Sequence, residues 1–128
     1  MFKLKRIYEE PAPEDGLRVL VERLWPRGMS KERAAIALWL REISPSTELR
    51  KWYRHDPSRW EEFRRRYWEE LEAKKDLVDM LREKDRGKTV TFVFASRDVD
   101  HSGAFALKGF MEKLPAGAAT EKKPAGGL

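Results

Sequence analysis

Cysteine is absent from this 128-residue chain, and so are asparagine and glutamine. The lack of cysteine excludes disulfides, thiolate zinc sites and a cysteine nucleophile. No apolar run approaches the roughly 20 residues of a membrane-spanning helix. The charged start of the chain, MFKLKR, is not followed by the apolar segment of a secretory signal. We therefore expect a soluble, cytoplasmic protein without a membrane partner.

Charge, in contrast, is abundant. Charged residues make up 38% of the chain, the net charge is +5, and the isoelectric point is about 9.6. Charge enrichment combined with loss of the thermolabile amides is typical of hyperthermophile proteins, and it predicts a thermal midpoint above about 70 °C. A basic chain permits an anionic partner, such as a nucleic acid or a phosphorylated small molecule, without requiring one.

Strand-like and helix-like patterns alternate along the chain, which predicts an α/β fold with a small, mostly parallel sheet flanked by helices. Strands are expected at residues 2–8, 19–25 and 89–95. The last of these, TVTFVFA, carries no charge, which indicates an interior strand. We expect a single domain over residues 1–114. The segment 115–128 is rich in glycine and proline and is predicted to be a flexible tail.

Helices are predicted from their caps and apolar stripes. Ser30 begins one over residues 31–37, after which 38–43 fit either the end of that helix or a short strand, the interpretation we favour. In the next helix either Ser44 is the cap, with Pro45 at the first helical position, or Ser46 is the cap and Thr47 begins the helix. A second capped start follows at Asp56-Pro57. The helix after Pro57 has the clearest apolar stripe, and further amphipathic stretches end near Gly87 and at residue 114.

The segment 18–28 has apolar residues on both faces of the two-residue strand period, which predicts an inner strand that ends in a Trp-Pro-Arg-Gly corner. Pro26 cannot donate a ladder hydrogen bond, so the strand is expected to stop at Trp25. Ligands are usually held at the carboxyl ends of inner parallel strands, and right-handed crossovers place the ends of 19–25 and 90–95 on one rim. Arginines and hydroxyls at helix starts suit phosphate or carboxylate binding.

The residues predicted from these positions to bind an anion at the rim are Arg23, Trp25, Arg27, Ser46 and Thr47. The alternative is that Ser46 and Thr47 only cap a helix and that Arg27 pairs with a nearby carboxylate.

A basic run with interleaved aromatics extends from Arg50 to Trp68. Arginines for phosphates and aromatics for base stacking are typical of single-stranded nucleic-acid binding, which makes Arg64, Arg65 and Trp68 candidate contacts. The alternative is a helix whose aromatics are core and whose charged residues form a solvated face.

Asp98 and His101 follow the apolar strand and are the best candidates for a catalytic acid–base pair, with the carboxylate orienting the imidazole. The two histidines of the chain lie too far apart in sequence to predict a metal site. There is no glycine-rich phosphate loop, no G-x-S-x-G elbow and no HExxH motif, and we predict no cofactor.

Four segments resemble the YeaO-like branch of domain-of-unknown-function family 488 (DUF488). They are RLWPRG (23–28), LWLREISPSTELRKWYRHDP (38–57), FRRRYWEEL (63–71) and FVFASRDVDHSGAFAL (92–107). The resemblance covers residues 4–114 and implies a compact α/β domain without a settled biochemical role. The polar residues that match the family pattern are Arg23, Arg27, Ser46, Arg50, His55, Asp98 and His101. The resemblance implies that these residues form the functional rim, and it adds Arg50 and His55 to the predicted anion-binding residues.

The resemblance fails at one place. The family pattern after the last strand has Asn and a second His where this chain has Ser102 and Gly103. An activity that depended on the second histidine would be missing here.

Three functions are consistent with these patterns. The first is an anion-binding protein that binds or acts on a nucleotide or nucleic acid, with Arg23 and Arg27 on the phosphate and Ser46 completing the cradle. The second is a small-molecule enzyme that uses the His101–Asp98 pair in a pocket beside Trp25. The third is a non-catalytic interaction module in which the aromatic residues are all core.

Overall fold

The computed structural model describes residues 1–113, which form a four-stranded parallel sheet with helices packed against it. The strands are β1 (Phe2–Arg6), β2 (Leu17–Leu20), β3 (Leu38–Trp39) and β4 (Val90–Phe94), in the order β1-β4-β2-β3. The helices are α1 (Lys31–Ala34), α2 (Thr47–Tyr53), α3 (Trp60–Glu72), α4 (Lys75–Asp85) and α5 (Gly103–Lys113). The predicted α/β fold is confirmed. The predicted tail at 115–128 lies outside the described residues.

Both apolar strands are interior, as predicted. β4 is buried along its whole length and pairs with β1 on one side and β2 on the other, so that Val90 lies opposite both Phe2 and Leu17. Because every pairing is parallel, the carboxyl ends of β2 and β4 lie at the same edge of the sheet.

The second strand is shorter than predicted, ending at Leu20 rather than at Trp25. Val21 still donates its N–H to the Val93 carbonyl at 3.1 Å. At the next position the Glu22 carboxylate accepts the Ala95 N–H at 2.9 Å, so a side chain replaces the main-chain ladder. The chain therefore leaves the sheet well before Pro26.

The segment 31–43 forms a helix and then a short strand, as favoured, but α1 ends at Ala34 rather than at Ala37. Ala35 adopts a left-handed conformation with φ 51°. The Arg18 guanidinium accounts for this early end, since it donates to the carbonyls of Ala34 and Ala35. Ser30 caps the helix through the Arg33 N–H, as its position predicted.

The two faces of the sheet are covered unequally. Val19, Phe92 and Phe94 face a large core shared with α2, α3, α4 and α5, including the buried Phe63 and Tyr67 of the predicted α3 stripe. The opposite face carries a smaller cluster around Leu20 and Val93, which α1 and two tryptophans cover. Within residues 1–113, no helix is long and apolar enough to span a membrane.

Candidate functional site

A cavity of about 140 Å³ opens at the edge of the sheet where β2 and β4 end. Its polar lining includes Glu22, Arg50, His55 and His101, and part of its wall is aromatic. The aromatic residues are Tyr53, Phe63 and Phe94. Its size is close to the roughly 150 Å³ of an engineered protein cavity that holds one benzene molecule. A single six-membered ring or a phosphate group therefore fits inside it.

Glu22 lies at the sheet side of this cavity, directly after β2. One carboxylate oxygen, Oε2, accepts the Ala95 N–H, which fixes the orientation of the carboxyl group. Burial raises the pKa of Glu22, while the Ala95 N–H and the positive charges of Arg50 and His55 act in the opposite direction. The carboxyl group thus lies in a partly desolvated place whose lining also contains Arg50 and His55.

Arg50 and His55 are brought to the cavity by α2 and by the turn that ends it. Arg50 is exposed, and its guanidinium forms no hydrogen bond or salt bridge with any residue from 1 to 113. Arg54 and His55 have φ values of 52° and 54°. The left-handed conformation costs about 1–2 kcal/mol per residue for side chains with a Cβ. This strained turn returns the chain so that His55 lines the cavity.

His101 also lines the cavity, and it lies on the loop between β4 and α5. Its Nδ1 lies 2.9 Å from Asp98 Oδ2, as expected for the predicted pair, and its ring meets the Trp60 ring edge-on at 5.5 Å. The Tyr53 hydroxyl donates to the His101 carbonyl at 2.7 Å. Burial, with the nearby Asp98 and Asp56, raises the pKa of Tyr53 to about 12. The phenol therefore stays a hydrogen-bond donor at neutral pH.

The rim segment Ser44–Pro45 forms another wall, and Arg23 supports it from behind. The Arg23 guanidinium donates to the carbonyls of Ser44 and Pro45 at 3.3 Å each. Lys74 donates to the Ser44 carbonyl at 3.1 Å. Arg23 thus lies next to the cavity and holds its backbone wall, and it is not among the lining side chains.

Ser46 and Thr47 serve the start of α2. The Ser46 hydroxyl accepts the Leu49 N–H at 3.1 Å and donates to Glu70 at 2.6 Å. Glu70 also accepts the Ser46 N–H at 2.9 Å. Thr47 is the exposed first residue of the helix. Ser46 takes the capping role weighed against anion binding, and neither Ser46 nor Thr47 lines the cavity.

Trp25 and Arg27 lie on the other side of the sheet. Trp25 donates its indole N–H to the Met29 carbonyl at 2.6 Å and packs edge-on against Trp39. The Arg27 side chain is exposed, and its carbonyl accepts the Tyr8 hydroxyl. Because the chain leaves the sheet after Val21, the corner does not bring these two residues to the cavity.

The candidate nucleic-acid contacts occupy the outer face of α3. Arg64 pairs with Glu61 at 2.8 Å, and Arg65 pairs with both Glu62 and Glu69. Trp68 donates its indole N–H to the Ala106 carbonyl at 2.8 Å, and Arg64 lies over its ring. This surface is separate from the cavity, and its arginines are matched by glutamates of the same helix.

Sequence similarity assigns the chain to a family. The family model described as "Inactive DUF488-N3 subclade" matches residues 1–125. The chain belongs to the DUF488 family. It is 43% identical over 105 residues to the uncharacterized protein Rv3073c of Mycobacterium tuberculosis, and the aligned region covers 82% of this chain and 88% of the relative. It is 33% identical over 110 residues to the uncharacterized protein YeaO of Escherichia coli, which covers 86% and 96%. No solved structure matches the chain.

The resemblance to YeaO-like DUF488 proteins is therefore confirmed. The structure shows where the residues that depart from the family pattern after β4 lie. Ser102 and Gly103, which replace the Asn and second His of the pattern, both line the cavity. Ser102 caps α5, since its hydroxyl accepts the Phe105 N–H at 3.1 Å. A Cβ at Gly103 would lie 3.4 Å from Pro45 Cγ. At position 103, which borders the cavity, this chain therefore has glycine where the family pattern has its second histidine.

Sequence reasoning missed Glu22, Tyr53 and Gly103 as lining residues of this DUF488 site. The available signal for Glu22 was that it is the single acidic residue between Val21 and the proline corner. Within residues 1–113, no group of three or more His, Asp or Glu side chains is arranged to hold a metal ion.

Proposed function

We propose that the cavity binds a small phosphate-bearing ligand of the nucleotide class and that the protein binds this ligand without converting it. The observation that carries the proposal is the convergence of Arg50, His55 and His101 on one cavity at the carboxyl edge of β2 and β4. Arginine forms strong, paired hydrogen bonds with phosphate oxygens. An arginine without a partner in the described structure, beside two imidazoles, is well suited to that role.

The size of the cavity supports a small ligand over a nucleic-acid strand. About 140 Å³ is enough for one ring or one phosphate group. The arginines of α3, which a strand would need for its backbone, are already paired with Glu61, Glu62 and Glu69. A strand would have to displace those carboxylates, so we place the ligand in the cavity.

Three observations support binding over catalysis. The chain has no cysteine to act as a nucleophile. Gly103 stands where the family pattern has its second histidine. The matching family model is itself described as inactive.

The test is calorimetric titration of the native protein with inorganic phosphate and with nucleoside monophosphates, at about 150 mM salt to screen weak attraction. Arg50→Ala should lower the affinity about tenfold to a hundredfold, the range for a hydrogen bond to a charged group. Arg64→Ala is the matched control, an arginine already paired with Glu61, and it should leave the affinity unchanged.

Two results would overturn the proposal. The first is that neither phosphate nor any monophosphate binds. The second is that Arg27→Ala weakens binding while Arg50→Ala does not, which would move the site to the Trp-Pro-Arg-Gly corner. Binding of an oligonucleotide that is lost in Arg64→Ala would favour the α3 surface instead.

The His101–Asp98 pair favours a second candidate, an enzyme that uses His101 for proton transfer. The hydrogen bond from Nδ1 to Asp98 orients the ring and leaves Nε2 available to a ligand. This candidate predicts turnover of a phosphorylated compound that His101→Ala abolishes and Arg64→Ala preserves. Chromatographic analysis of nucleotides after prolonged incubation measures it, and unchanged nucleotides would eliminate it.

A further inference from the structure

Glu22 supplies the cavity with a carboxylate oxygen that the fold itself does not use. Oε2 accepts the Ala95 N–H at 2.9 Å and ends the pairing of β2 with β4. The second oxygen, Oε1, has no hydrogen-bond partner among residues 1–113, and Glu22 lines the cavity. Since one oxygen is sufficient to satisfy the strand end, the other is available to a ligand.

A hydrogen bond from a ligand to this oxygen would be strong, because the carboxyl group is partly removed from water. Glu22 is half-buried, and burial raises its pKa, whereas Arg50 and His55 favour its charged form. An ionised carboxylate can only accept hydrogen bonds. When water is displaced from the cavity, the oxygen needs a donor, because an unpaired charged acceptor is costly in a desolvated site.

Part of the cavity wall beside Glu22 is apolar. Tyr53 and Phe63 are stacked at 4.0 Å, and Phe94 and Val21 add further apolar surface to the lining. The volume resembles that of a cavity that accepts one benzene ring. A six-membered heterocycle fills this space, so the phosphate of the same nucleotide would lie outside it at the mouth of the cavity, where Arg50 and His55 are exposed.

We propose that Glu22 selects the ring of the ligand by accepting a hydrogen bond from an exocyclic amino group, so that the cavity prefers an aminopyrimidine nucleotide. The inference rests on the proposed function, because Arg50 and the two histidines must hold the phosphate. Cytosine presents an amino group, N4, where uracil presents a carbonyl oxygen, O4. The oxygen of uracil would face the carboxylate oxygen and repel it.

The matched pair of probes is cytidine 5′-monophosphate and uridine 5′-monophosphate, with inorganic phosphate as the third ligand. Calorimetric titration of the native protein should give an affinity for the cytidine nucleotide at least about tenfold higher than for the uridine nucleotide, the effect of one mismatched polar contact. This comparison needs no variant, so it does not depend on how a substitution folds.

The variant Glu22→Gln tests the role of Glu22 directly, because the Ala95 N–H fixes the orientation of the new amide group. That N–H needs an acceptor, so the amide oxygen of the glutamine will face Ala95 and its NH₂ group will face the cavity. A donor then replaces the acceptor, and the preference should shift towards the uridine nucleotide. Glu61→Gln on the surface of α3 is the control, and it should keep the native preference.

The outcomes separate this inference from the proposed function. If phosphate binds and the cytidine and uridine nucleotides bind with equal affinities, the inference about Glu22 is wrong and the phosphate site stands. If the native preference is present and Glu22→Gln leaves it unchanged, another group selects the ring and the inference is also wrong. If phosphate and both nucleotides fail to bind, the proposed function fails.

Discussion

Replacing Asp15 with alanine should strongly destabilise the protein, because its buried carboxylate links Lys5 of β1 to Arg18 of β2, and Arg18 in turn binds the end of α1. It accepts hydrogen bonds from Lys5 at 3.1 Å, from Arg18 at 2.7 Å and from the Ala12 N–H at 3.0 Å. Asp15 is 4% exposed and Arg18 is 5% exposed. In Asp15→Ala the Arg18 guanidinium loses its counter-ion and keeps only the carbonyls at the end of α1.

The expected cost follows from the burial of that charge. Removing one partner of a buried ion pair costs about 3–5 kcal/mol. We place Asp15→Ala at about 3 kcal/mol, because the retained carbonyl contacts lower the penalty. Arg18→Met in the same background removes the stranded charge, so the double variant should lose less than the sum of the single losses, with a coupling of about 1–3 kcal/mol.

Urea denaturation of the native protein, both single variants and the double variant measures these values. A loss below about 1 kcal/mol for Asp15→Ala would refute the reasoning, because a buried guanidinium could not be left unpaired so cheaply. Additive single losses would refute the coupling.

The same carboxylate predicts a pH dependence. Burial alone would raise the pKa of Asp15, but the Ala12 N–H, Lys5 and Arg18 together bring it below the ordinary value of 3.8. A lowered folded-state pKa gives stability that is present above the unfolded value and is lost as the pH falls through the folded one. The difference between the native protein and Asp15→Ala should therefore shrink below about pH 4.

Three further substitutions test local features. Ser46→Ala should cost about 1–2 kcal/mol in urea denaturation, because the hydroxyl caps α2, and no loss would contradict that role. Gly16→Ala should lower the thermal midpoint severely, since Gly16 has φ +62° and a Cβ would lie 2.3 Å from the Thr89 carbonyl oxygen; an unchanged midpoint would be inconsistent with this turn. Gly103→Ala should keep the midpoint but weaken nucleotide binding severalfold, because its methyl group enters the cavity lining, and native affinity would show that the ligand lies elsewhere.

Local signals predicted most of the fold. The uncharged run 89–95 gave β4, and the spacing of Phe63, Tyr67 and Leu71 gave the buried stripe of α3. The helix caps at Ser46 and Asp56 accept the expected N–H groups. These features depend on neighbours within a few residues, which is why a single sequence reveals them.

The ends of β2 and α1 could not be predicted, because they depend on distant contacts. β2 ends where Glu22 reaches Ala95, and α1 ends where Arg18 reaches the carbonyls of Ala34 and Ala35. Extending the two-residue strand period to Trp25 was therefore wrong.

The same long-range contacts explain the candidate site. His101 was predicted from its position after an apolar strand, and Arg50 and His55 were predicted from the resemblance to the family pattern. All three line one cavity. Glu22 was missed because its side chain was counted as part of a continuous strand. Trp25 was assigned to the same rim for that reason, and it packs on the opposite face of the sheet.

The most direct test of the phosphate site is to map where phosphate binds on the intact protein. A titration with inorganic phosphate, followed by two-dimensional amide NMR on isotope-labelled protein, reports every affected backbone position. We expect saturable shifts of the amide signals at Arg50, His55 and His101 and none along the outer face of α3. Shifts concentrated at Arg27 or at Arg64 and Arg65, or no saturable shifts at all, would contradict it.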